Sequence, residues 1–403
     1  MSQSLILNHR GLITNFNALS KTPEGALTIA ENVVIDKDGV AEPRRGFTRI
    51  ASAPASDAAR FDRLTSYQDK IIGHRSDDNS MQYYNSGWTQ YSGTYEHPDS
   101  DYARMQFMQA KGNLYFTTST GVKVIDSYSG PVYSTGMPRG LDGVGSTTGA
   151  SGFLGHNHQI AYRIVWGSRD ANNNLYLGTP SQRIIVINNT GGTRDVSLTF
   201  TIPSGITTSD FFQVYRSQES ASVSDEPNDE LQLVYEKAPT AGEITAKSVT
   251  FTDSTPYSLM GAYLYTNSSQ EGIAQANDEP PFAKDITLFK GYTFFGNVKT
   301  KHQLNIKLVA VSGTGLALND TITINSMVFT AKNAENIASR EFLLSTGGSA
   351  AQNIADTAQS LVKVINQYSS NTTIYAYYIS GYQDLPGQIL LVKRTLDDTS
   401  FAV

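Results

Sequence analysis

Few side chains in this sequence have the types and the spacing that catalysis or metal binding requires. His156 and His158 are one residue apart, so on a strand both would lie on one face and could ligate a metal ion. No obvious third ligand accompanies them, which favours a polar loop. Asp99 and Asp101 could bind a cation or supply the two carboxyl groups of a glycosidase, although an acidic turn is the commoner use of such a pair.

The familiar sequence signatures of enzymes are missing. The chain has no Gly-x-Ser-x-Gly, His-Glu-x-x-His, P-loop or EF-hand motif. It contains no cysteine, which excludes disulfide scaffolds, thiolate metal clusters and cysteine nucleophiles. We therefore expect a protein that is not an enzyme and that uses no metal and no cofactor.

Two groups of residues could instead bind a partner. Tyr83, Tyr84 and Trp88 could stack on a carbohydrate, but their alternation favours packing between strands. Arg44 and Arg45 could contact phosphate groups, but the acidic residues near them favour a salt-bridged docking segment. The residues that this interpretation assigns to an interface are Asp36, Asp38, Glu42, Arg44 and Arg45.

The composition predicts a strand-rich fold. Charged residues make up 17% of the 403 residues, below the roughly 25% of a typical soluble protein. The chain is rich in Tyr, Phe and Gly but poor in Lys and Glu, which helical surfaces usually require. The net charge of −6 argues against a general nucleic-acid binder. It does not argue against a channel that nucleic acid passes without sticking.

Neither a targeting signal nor a membrane-spanning segment is expected. The N-terminal sequence has an apolar run of only three residues, which is too short for the core of a signal peptide. No stretch of about 18 apolar residues occurs anywhere in the sequence. The sequence therefore predicts a soluble protein that is synthesised in the cytoplasm.

A degenerate repeat organises residues 61–136. FDRLTSY at 61–67 is followed by KIIGH at 70–74, and YARMQFM at 102–108 is followed by NLYFT at 113–117. A third copy pairs FAKDITLF at 282–289 with YTFFGN at 292–297. Repeated antiparallel units of this size are typical of propeller blades. Unrelated β-meanders remain an alternative, because the copies share a pattern more than an identity.

Two other segments have different patterns. Seven short strands separated by polar turns within residues 151–260 favour an immunoglobulin-like or fibronectin type III-like sandwich, inserted between the second and third repeats. Within residues 311–403, a hairpin, an amphipathic helix at 353–366 and two further strands predict a small α/β (ββαββ) unit.

The resulting fold class is mainly β, with β-propeller-like blades, an inserted immunoglobulin/fibronectin III-like β-sandwich and a small C-terminal α/β unit. The predicted divisions are an N-terminal docking segment (1–50), propeller-like blades (51–150), the sandwich (151–260), a further blade (261–310) and the α/β insertion (311–403). Because a closed propeller needs about four or more blades, we expect the propeller to be incomplete in this chain.

The order of several short motifs resembles the tail nozzle proteins, the tail tubular protein B family of short-tailed bacteriophages (podoviruses). In the first fifty residues these motifs are GLITNFN at 11–17, PEGAL at 23–27, AENVVID at 30–36 and GVAEPRRG at 39–46. Further along they are FFQVYRS at 211–217, LYTN at 264–267, ANDEPP at 276–281 and GYTFFGN at 291–297.

This resemblance implies a structural virion protein. Such a subunit forms a hexameric ring beneath the portal and the adaptor (head-to-tail connector) ring, and the ring is the distal tail tube for DNA retention and ejection. The implied partners are further copies, the adaptor ring, tail fibres or spikes, the host envelope at the tip, and double-stranded DNA that passes through the lumen without specific binding. No catalytic residues carry over.

Two other functions remain as alternatives. One is a virion-associated glycan depolymerase that uses carboxylates such as Asp99 and Asp101. The other is a carbohydrate- or receptor-binding tail protein in which the sandwich is the adhesive module.

Overall fold

Short antiparallel strands dominate the structure, as the composition predicts, so the protein is mainly β. The computed structural model describes residues 27, 29, 31, 33–37, 40–44, 46, 61–98, 105–264, 278–312, 315–381, 384–396 and 399–403. Two units can be distinguished, residues 1–57 and residues 58–403. Among the described residues, no helix has both the length and the apolar character needed to cross a membrane.

The described part of the first unit is a β-hairpin. Strand β1 (Val33–Lys37) pairs antiparallel with β2 (Val40–Pro43), and the register shifts between Val34 and Lys37. This position agrees with the hairpin that the Asp- and Gly-rich sequence at 36–39 predicts.

Two four-stranded meanders open the second unit and confirm the first two predicted hairpins, each with further strands. The first sheet has the order β3-β4-β5-β6 and the second has the order β10-β9-β8-β7. Their strands are β3 (Phe61–Tyr67), β4 (Lys70–Arg75), β5 (Ser80–Tyr84), β6 (Trp88–Gln90), β7 (Phe107–Ala110), β8 (Asn113–Thr118), β9 (Gly121–Ile125) and β10 (Tyr133–Ser134). Both sheets contribute to one core, in which Ile72 and Met81 of the first meet Leu114 and Phe116 of the second.

The turns of the three repeat copies share one backbone conformation. Two consecutive residues with positive φ join the strands in each copy, at Gln68–Asp69, Lys111–Gly112 and Lys290–Gly291. Two-residue hairpin turns favour this conformation because its twist matches the twist of the strands. The three repeat copies therefore have the same turn conformation although their sequences differ.

A two-sheet sandwich follows. One sheet has the order β11-β15-β18, and the other has the order β13-β12-β16-β17 with β14 on the first part of β12. Their strands are β11 (Gly143–Thr148), β12 (Gln159–Arg169), β13 (Leu175–Leu177), β14 (Ile184–Ile187), β15 (Asp195–Thr201), β16 (Phe211–Arg216), β17 (Gln232–Lys237) and β18 (Ser248–Asp253). A short helix, α1 (Ala241–Ala246), precedes β18, and a 3₁₀ turn, Tyr257–Leu259, follows it. Trp166 and Phe212 from one sheet meet Phe200 from the other in the shared core.

The seven strands predicted in this segment are all present, but the sandwich begins earlier than position 151. Strand β11 belongs to the sandwich because it pairs with β15. Its sequence, GVGSTT, has glycine where a strand pattern calls for apolar side chains. Glycine occurs there because a larger residue would not fit, since a Cβ atom at Gly145 would lie 2.3 Å from a methyl carbon of Val186.

The remaining strands form a hairpin and an α/β module. Strands β19 (Phe282–Phe289) and β20 (Tyr292–Lys299) pair only with each other among the described residues. The module has two sheets, β21-β26-β25 and β22-β23-β24, and a helix, α2 (Ala350–Gln367), that packs on both. Its strands are β21 (Gln303–Lys307), β22 (Thr321–Ile324), β23 (Met327–Lys332), β24 (Glu341–Leu343), β25 (Ile374–Tyr378) and β26 (Gln388–Lys393).

The predicted helix and its four flanking strands are confirmed, and the module also includes a strand that precedes position 311. Strand β21 belongs to the C-terminal module because all five of its residues pair with β26. The partner strand lies some eighty positions further along the chain, so no local pattern could reveal the pairing.

Candidate interaction surface

The β19–β20 hairpin is anchored at one end on the second four-stranded sheet. Ala283 and Ile286 of β19 are buried in a small core with Met108 and Val122 of that sheet. Phe295 of β20 packs against the same core. This end of the hairpin therefore has a fixed position on the sheet below it.

The other end of the hairpin exposes large apolar side chains. Phe289, Tyr292 and Phe294 are 61%, 72% and 52% exposed. They lie on one face, because residues that are opposite or alternate in an antiparallel pair share a face, and Phe289 pairs directly with Tyr292. Leu288, 41% exposed, lies on the other face. We call Phe289, Tyr292 and Phe294 the aromatic tip.

An exposed cluster of this kind needs a physical explanation. Scattered apolar residues are normal on a surface, but the largest contiguous apolar patch of a typical monomer, roughly 300–600 Å², is often functional. The aromatic tip also lies on a strand pair with unpaired edges within the described residues, and such edges readily accept a strand from another chain. The hairpin therefore combines an apolar face with open backbone donors and acceptors.

A hydrogen-bonded loop joins the second sheet to the sandwich. Asp170 accepts hydrogen bonds through Oδ1 from the backbone N–H groups of Asn172 and Asn174, at 3.0 and 2.8 Å. Its Oδ2 accepts from Asn113 Nδ2 at 2.6 Å and from the Tyr176 hydroxyl at 3.0 Å. Burial alone would raise the pKa of Asp170, but these donors outweigh it and lower the pKa.

The same loop reaches over the turn between β7 and β8. Asn172 Nδ2 donates to the carbonyl oxygens of Gly112 and Asp126, at 3.0 and 2.8 Å. Asn174 Nδ2 donates to the carbonyl oxygen of Lys111 at 3.0 Å. Three amide side chains and one carboxylate thus connect two modules through polar groups that are almost fully paired.

A second polar contact joins the sandwich to the α/β module. Asp142 accepts from Asn366 Nδ2 at 2.7 Å and from the Thr201 hydroxyl at 2.9 Å. Gln367 Nε2 donates to the Thr201 oxygen at 3.0 Å. Burial raises the pKa of Asp142, and its hydrogen bonds only partly offset that effect.

The sandwich contains a fully buried ion pair. Arg216 Nη1 donates to Asp253 Oδ2 at 2.7 Å, and the Tyr162 hydroxyl donates to the same oxygen at 2.8 Å. The guanidinium carbon lies 3.8 Å from the centre of the Phe153 ring. Arg216 and Asp253 have no exposed side-chain surface, so this cluster is part of the interior of the sandwich and is closed to a substrate.

The two histidines do not form a metal site. They lie in the turn that precedes β12, not on one strand face, and Asn157 between them has a φ of 60°. His156 Nδ1 bonds the carbonyl oxygen of Thr190 at 2.8 Å, while His158 Nδ1 lies 3.0 Å from Glu219 Oε2. Within the described ranges, no three His, Cys, Asp or Glu side chains gather as metal ligands.

The aromatic residues of the first sheet pack on one another, as their alternation predicts. Tyr84 and Trp88 are a cross-strand pair with ring centroids 5.4 Å apart, and Trp88 lies 4.4 Å from Phe61. Tyr83 contacts Tyr91 at 5.2 Å. The rings are therefore part of the packing of this sheet.

The structure describes only part of the predicted docking segment. Asp36 lies on β1 and Glu42 lies on β2, and Arg44 follows β2 and is exposed. Asp38 and Arg45 lie outside the described residues, as do both members of the acidic pair, Asp99 and Asp101. The assignment of these residues to an interface stays a prediction.

The sequence pattern predicts both strands of the hairpin, but it does not by itself single out the aromatic tip. A strand with one buried face normally alternates apolar and polar residues. The sequence YTFF breaks this alternation, because it has aromatic residues at both alternate and adjacent positions, and this was the signal for an exposed aromatic face.

Comparisons with family models, with curated proteins and with solved structures find no match to this chain.

Proposed function

We propose that this chain is a structural subunit of the tail nozzle of a short-tailed bacteriophage, where six copies form a ring around the path of the DNA. The observation that carries the proposal is the aromatic tip, an exposed apolar face with open strand edges on an anchored hairpin. Such a face fits burial against a second copy of the chain.

The joints between modules support a structural role. A tube wall must keep its shape, and here the connections are made by polar groups with several partners each, such as Asp170 and Asp142. Half-buried polar groups with several hydrogen bonds each resist sliding, because movement leaves a donor or an acceptor unpaired. The modules are therefore suited to act as one stiff body.

Propeller blades are the proposed interpretation of the repeated sheets. The two four-stranded meanders share a core, and all three copies of the repeat use the same two-residue turn. In this interpretation β19 and β20 are the first two strands of a third blade. The remaining strands of that blade would then come from outside the described residues or from a neighbouring copy.

The sandwich is proposed as an inserted module whose resemblance to immunoglobulin domains is limited to its architecture. Its two sheets enclose one core around Trp166, as in such domains. In the immunoglobulin arrangement the first two strands share a sheet, whereas β11 and β12 lie in opposite sheets here. We therefore propose a distinct strand order for this module.

The proposed partners follow from the motif resemblance. They are further copies of the chain, the adaptor ring, tail fibres or spikes and the host envelope, with double-stranded DNA in the lumen. The net charge of −6 is compatible with DNA that slides past the wall, since a basic lining would hold the phosphates.

One observation favours a second candidate, a receptor-binding tail protein. A groove of about 1070 Å³ lies between the second sheet, the sandwich and the α/β module, and its lining includes Tyr133, which is 48% exposed. A groove of this size could hold a short glycan. Such a protein should bind host cells as a single copy, whereas a nozzle subunit acts in its ring.

The test is the oligomeric state of the purified chain and of a tip variant. We expect the wild type to form six-fold rings in electron micrographs, with a channel of about 20 Å or more for a B-DNA duplex. The double substitution Phe289→Ser and Tyr292→Ser should shift the mass in light scattering to that of one copy, because it removes the apolar contact.

Leu259→Ser is the matched control, since Leu259 is also 72% exposed but lies in the sandwich. This variant should still form rings. A wild type that stays monomeric at high concentration, or a tip variant that assembles as well as the control, would argue against the proposal.

A further inference from the structure

A small cavity lies where the sandwich meets the α/β module. Its volume is about 150 Å³, and it opens beside the larger groove, with which it shares Ser204, Tyr375 and Arg394. Ile202 and Ile244 from the sandwich form an apolar wall. The cavity is therefore large enough for a small molecule or a single ionic group and is partly shielded from water.

Arg394 lines this cavity, and one of its guanidinium nitrogens has no hydrogen-bond partner. Its Nε donates to the carbonyl oxygen of Ile374 at 3.1 Å, and its Nη1 donates to the Ser204 hydroxyl at 2.9 Å. The guanidinium carbon lies 4.1 Å from the centre of the Tyr375 ring, which fixes the plane of the group. The remaining nitrogen, Nη2, is buried and has no hydrogen-bond partner.

Lys247 supplies a second positive charge to the same cavity. It has a left-handed backbone (φ 53°) at the C-terminal end of α1, where its N–H bonds the carbonyl oxygens of Glu243 and Ile244. This conformation directs the chain from the helix into β18 and places Lys247 in the cavity lining. Burial lowers the pKa of Lys247, and the nearby charge of Arg394 lowers it further.

No carboxylate balances these two cations within the part of the chain that the structure describes. Neither Lys247 nor Arg394 forms an ion pair there, whereas the fully buried Arg216 pairs with Asp253. Burial also lowers the pKa of Arg394. An anion would stabilise two partly buried cations at this position, because like charges in a poorly hydrated space repel each other.

We propose that the cavity lined by Lys247 and Arg394 is a binding site for a phosphate group, either free or as a small phosphomonoester. Arg394 Nη2 and the Lys247 ammonium group donate to the phosphate oxygens. The Ser204 hydroxyl, which lies 2.6 Å from the Tyr375 hydroxyl and accepts from Arg394 Nη1, holds the guanidinium group at the rim. The remainder of a phosphomonoester extends into the groove that the cavity joins.

The bound phosphate group also joins two modules. Lys247 belongs to the sandwich and Arg394 follows β26 of the α/β module, so the ligand contacts both. A ligand that binds only the folded state raises its stability according to the ratio of its concentration to its dissociation constant. Binding should therefore appear as a rise in the melting temperature of the full chain.

The experiment measures the binding of inorganic phosphate and of glucose 6-phosphate to the full chain. Calorimetry and thermal melting at constant ionic strength should show saturable binding and an increase in melting temperature. Lys247→Gln should weaken binding about tenfold or more, because it removes one charge-assisted hydrogen bond. Arg394→Lys keeps the charge but loses the fork of donors, and it should weaken binding as well.

Lys307→Gln is the matched control, since it removes one positive charge from an exposed position on β21 outside the cavity. It should bind phosphate as the wild type does. Tighter binding of glucose 6-phosphate than of inorganic phosphate identifies the ligand as a monoester, and equal binding identifies free phosphate. No saturable binding by the wild type, or an equal loss in Lys307→Gln, would overturn the proposal. The site does not depend on ring formation.

Discussion

At the scale of single residues, the best-defined group is the Asp170 carboxylate. Both of its oxygens accept hydrogen bonds, and the donors come from the sandwich loop and from Asn113 of the second sheet. A carboxylate that accepts several hydrogen bonds is stabilised in its charged form, so its pKa falls on folding. Such a group contributes stability above its unfolded pKa, and that contribution is lost as the pH falls through the folded pKa.

We predict that Asp170→Asn lowers the free energy of unfolding by about 1–3 kcal/mol at pH 7, because an amide cannot accept all of these hydrogen bonds. The difference from the wild type should begin to shrink as the pH falls below about 4, where Asp170 of the unfolded chain takes up a proton, and should shrink further toward the lower folded pKa. Urea unfolding at pH 7 and at pH 3.5 measures both effects.

Asp69→Asn serves as the control for this prediction. Asp69 is exposed and has a φ of 58° in the turn between β3 and β4, a conformation that asparagine also adopts readily. Equal destabilisation by both substitutions would show that Asp170 has no special role in the joint.

At the scale of single elements, strand β11 shows how packing can determine a sequence. Gly143 and Gly145 face β14, and Cβ atoms at these positions would lie 2.5 and 2.3 Å from side-chain carbons of Ile184 and Val186. Such distances are too short for carbon atoms in contact. Strand β11 therefore has no side chains at these two positions, which leaves room for β14 to approach the core.

Gly145→Ala should destabilise the sandwich by about 1–3 kcal/mol, because the added methyl group overlaps Val186, whose short branched side chain has little room to move. Thermal or urea unfolding monitored by tryptophan fluorescence in a Trp88→Phe background reports this change, since Trp166 lies in the core of the sandwich. Gly191→Ala is the control, because a Cβ atom there would meet nothing within 4 Å. A neutral Gly145→Ala would mean that β14 can shift at little cost.

At the scale of the whole molecule, the modules of the second unit are joined by polar contacts whose responses to pH are opposite. Burial raises the pKa of Asp142 at the contact between the sandwich and the α/β module. A carboxyl group with a raised pKa stabilises the folded state most at a pH below its unfolded pKa, and stability falls as the pH rises toward the folded value. The joint at Asp170 behaves in the reverse way.

We expect Asp142→Asn to reduce the loss of stability between pH 4.5 and pH 7, because an amide in this contact has no charge to bury and still offers one acceptor. Asp142→Ala should be destabilised at both pH values, because Asn366 and Thr201 then lose their acceptor. Urea midpoints of the three proteins at the two pH values provide the measurement. An unchanged pH dependence in Asp142→Asn would contradict this explanation.

The proposed contact between the aromatic tip and a second copy of the chain also concerns the whole molecule. A contact made by Phe289 and Tyr292 of one copy with another surface of the next copy closes into a ring only if the rotation between copies closes. The exposed apolar area makes a partner favourable, but the geometry of the partner surface determines the number of copies. Electron microscopy of the purified chain therefore tests both the contact and the symmetry.

The local features of this protein could be read from its sequence. Alternating apolar residues predicted the strands of the sandwich, and the spacing of apolar residues predicted helix α2, because each element must bury one face. The turn residues marked the repeated hairpins. These inferences succeeded because strand alternation, helical periodicity and turn chemistry depend on residues that are neighbours in the chain.

Only the tertiary structure decided which elements belong together and which polar groups meet. The pairing of β21 with β26, the glycine-lined approach of β14 to β11 and the joint at Asp170 all bring together residues that are far apart in the sequence. The cations at Lys247 and Arg394 lie nearly 150 positions apart and share one cavity. Their proximity results from the packing of whole modules, for which no short stretch of sequence contains a signal.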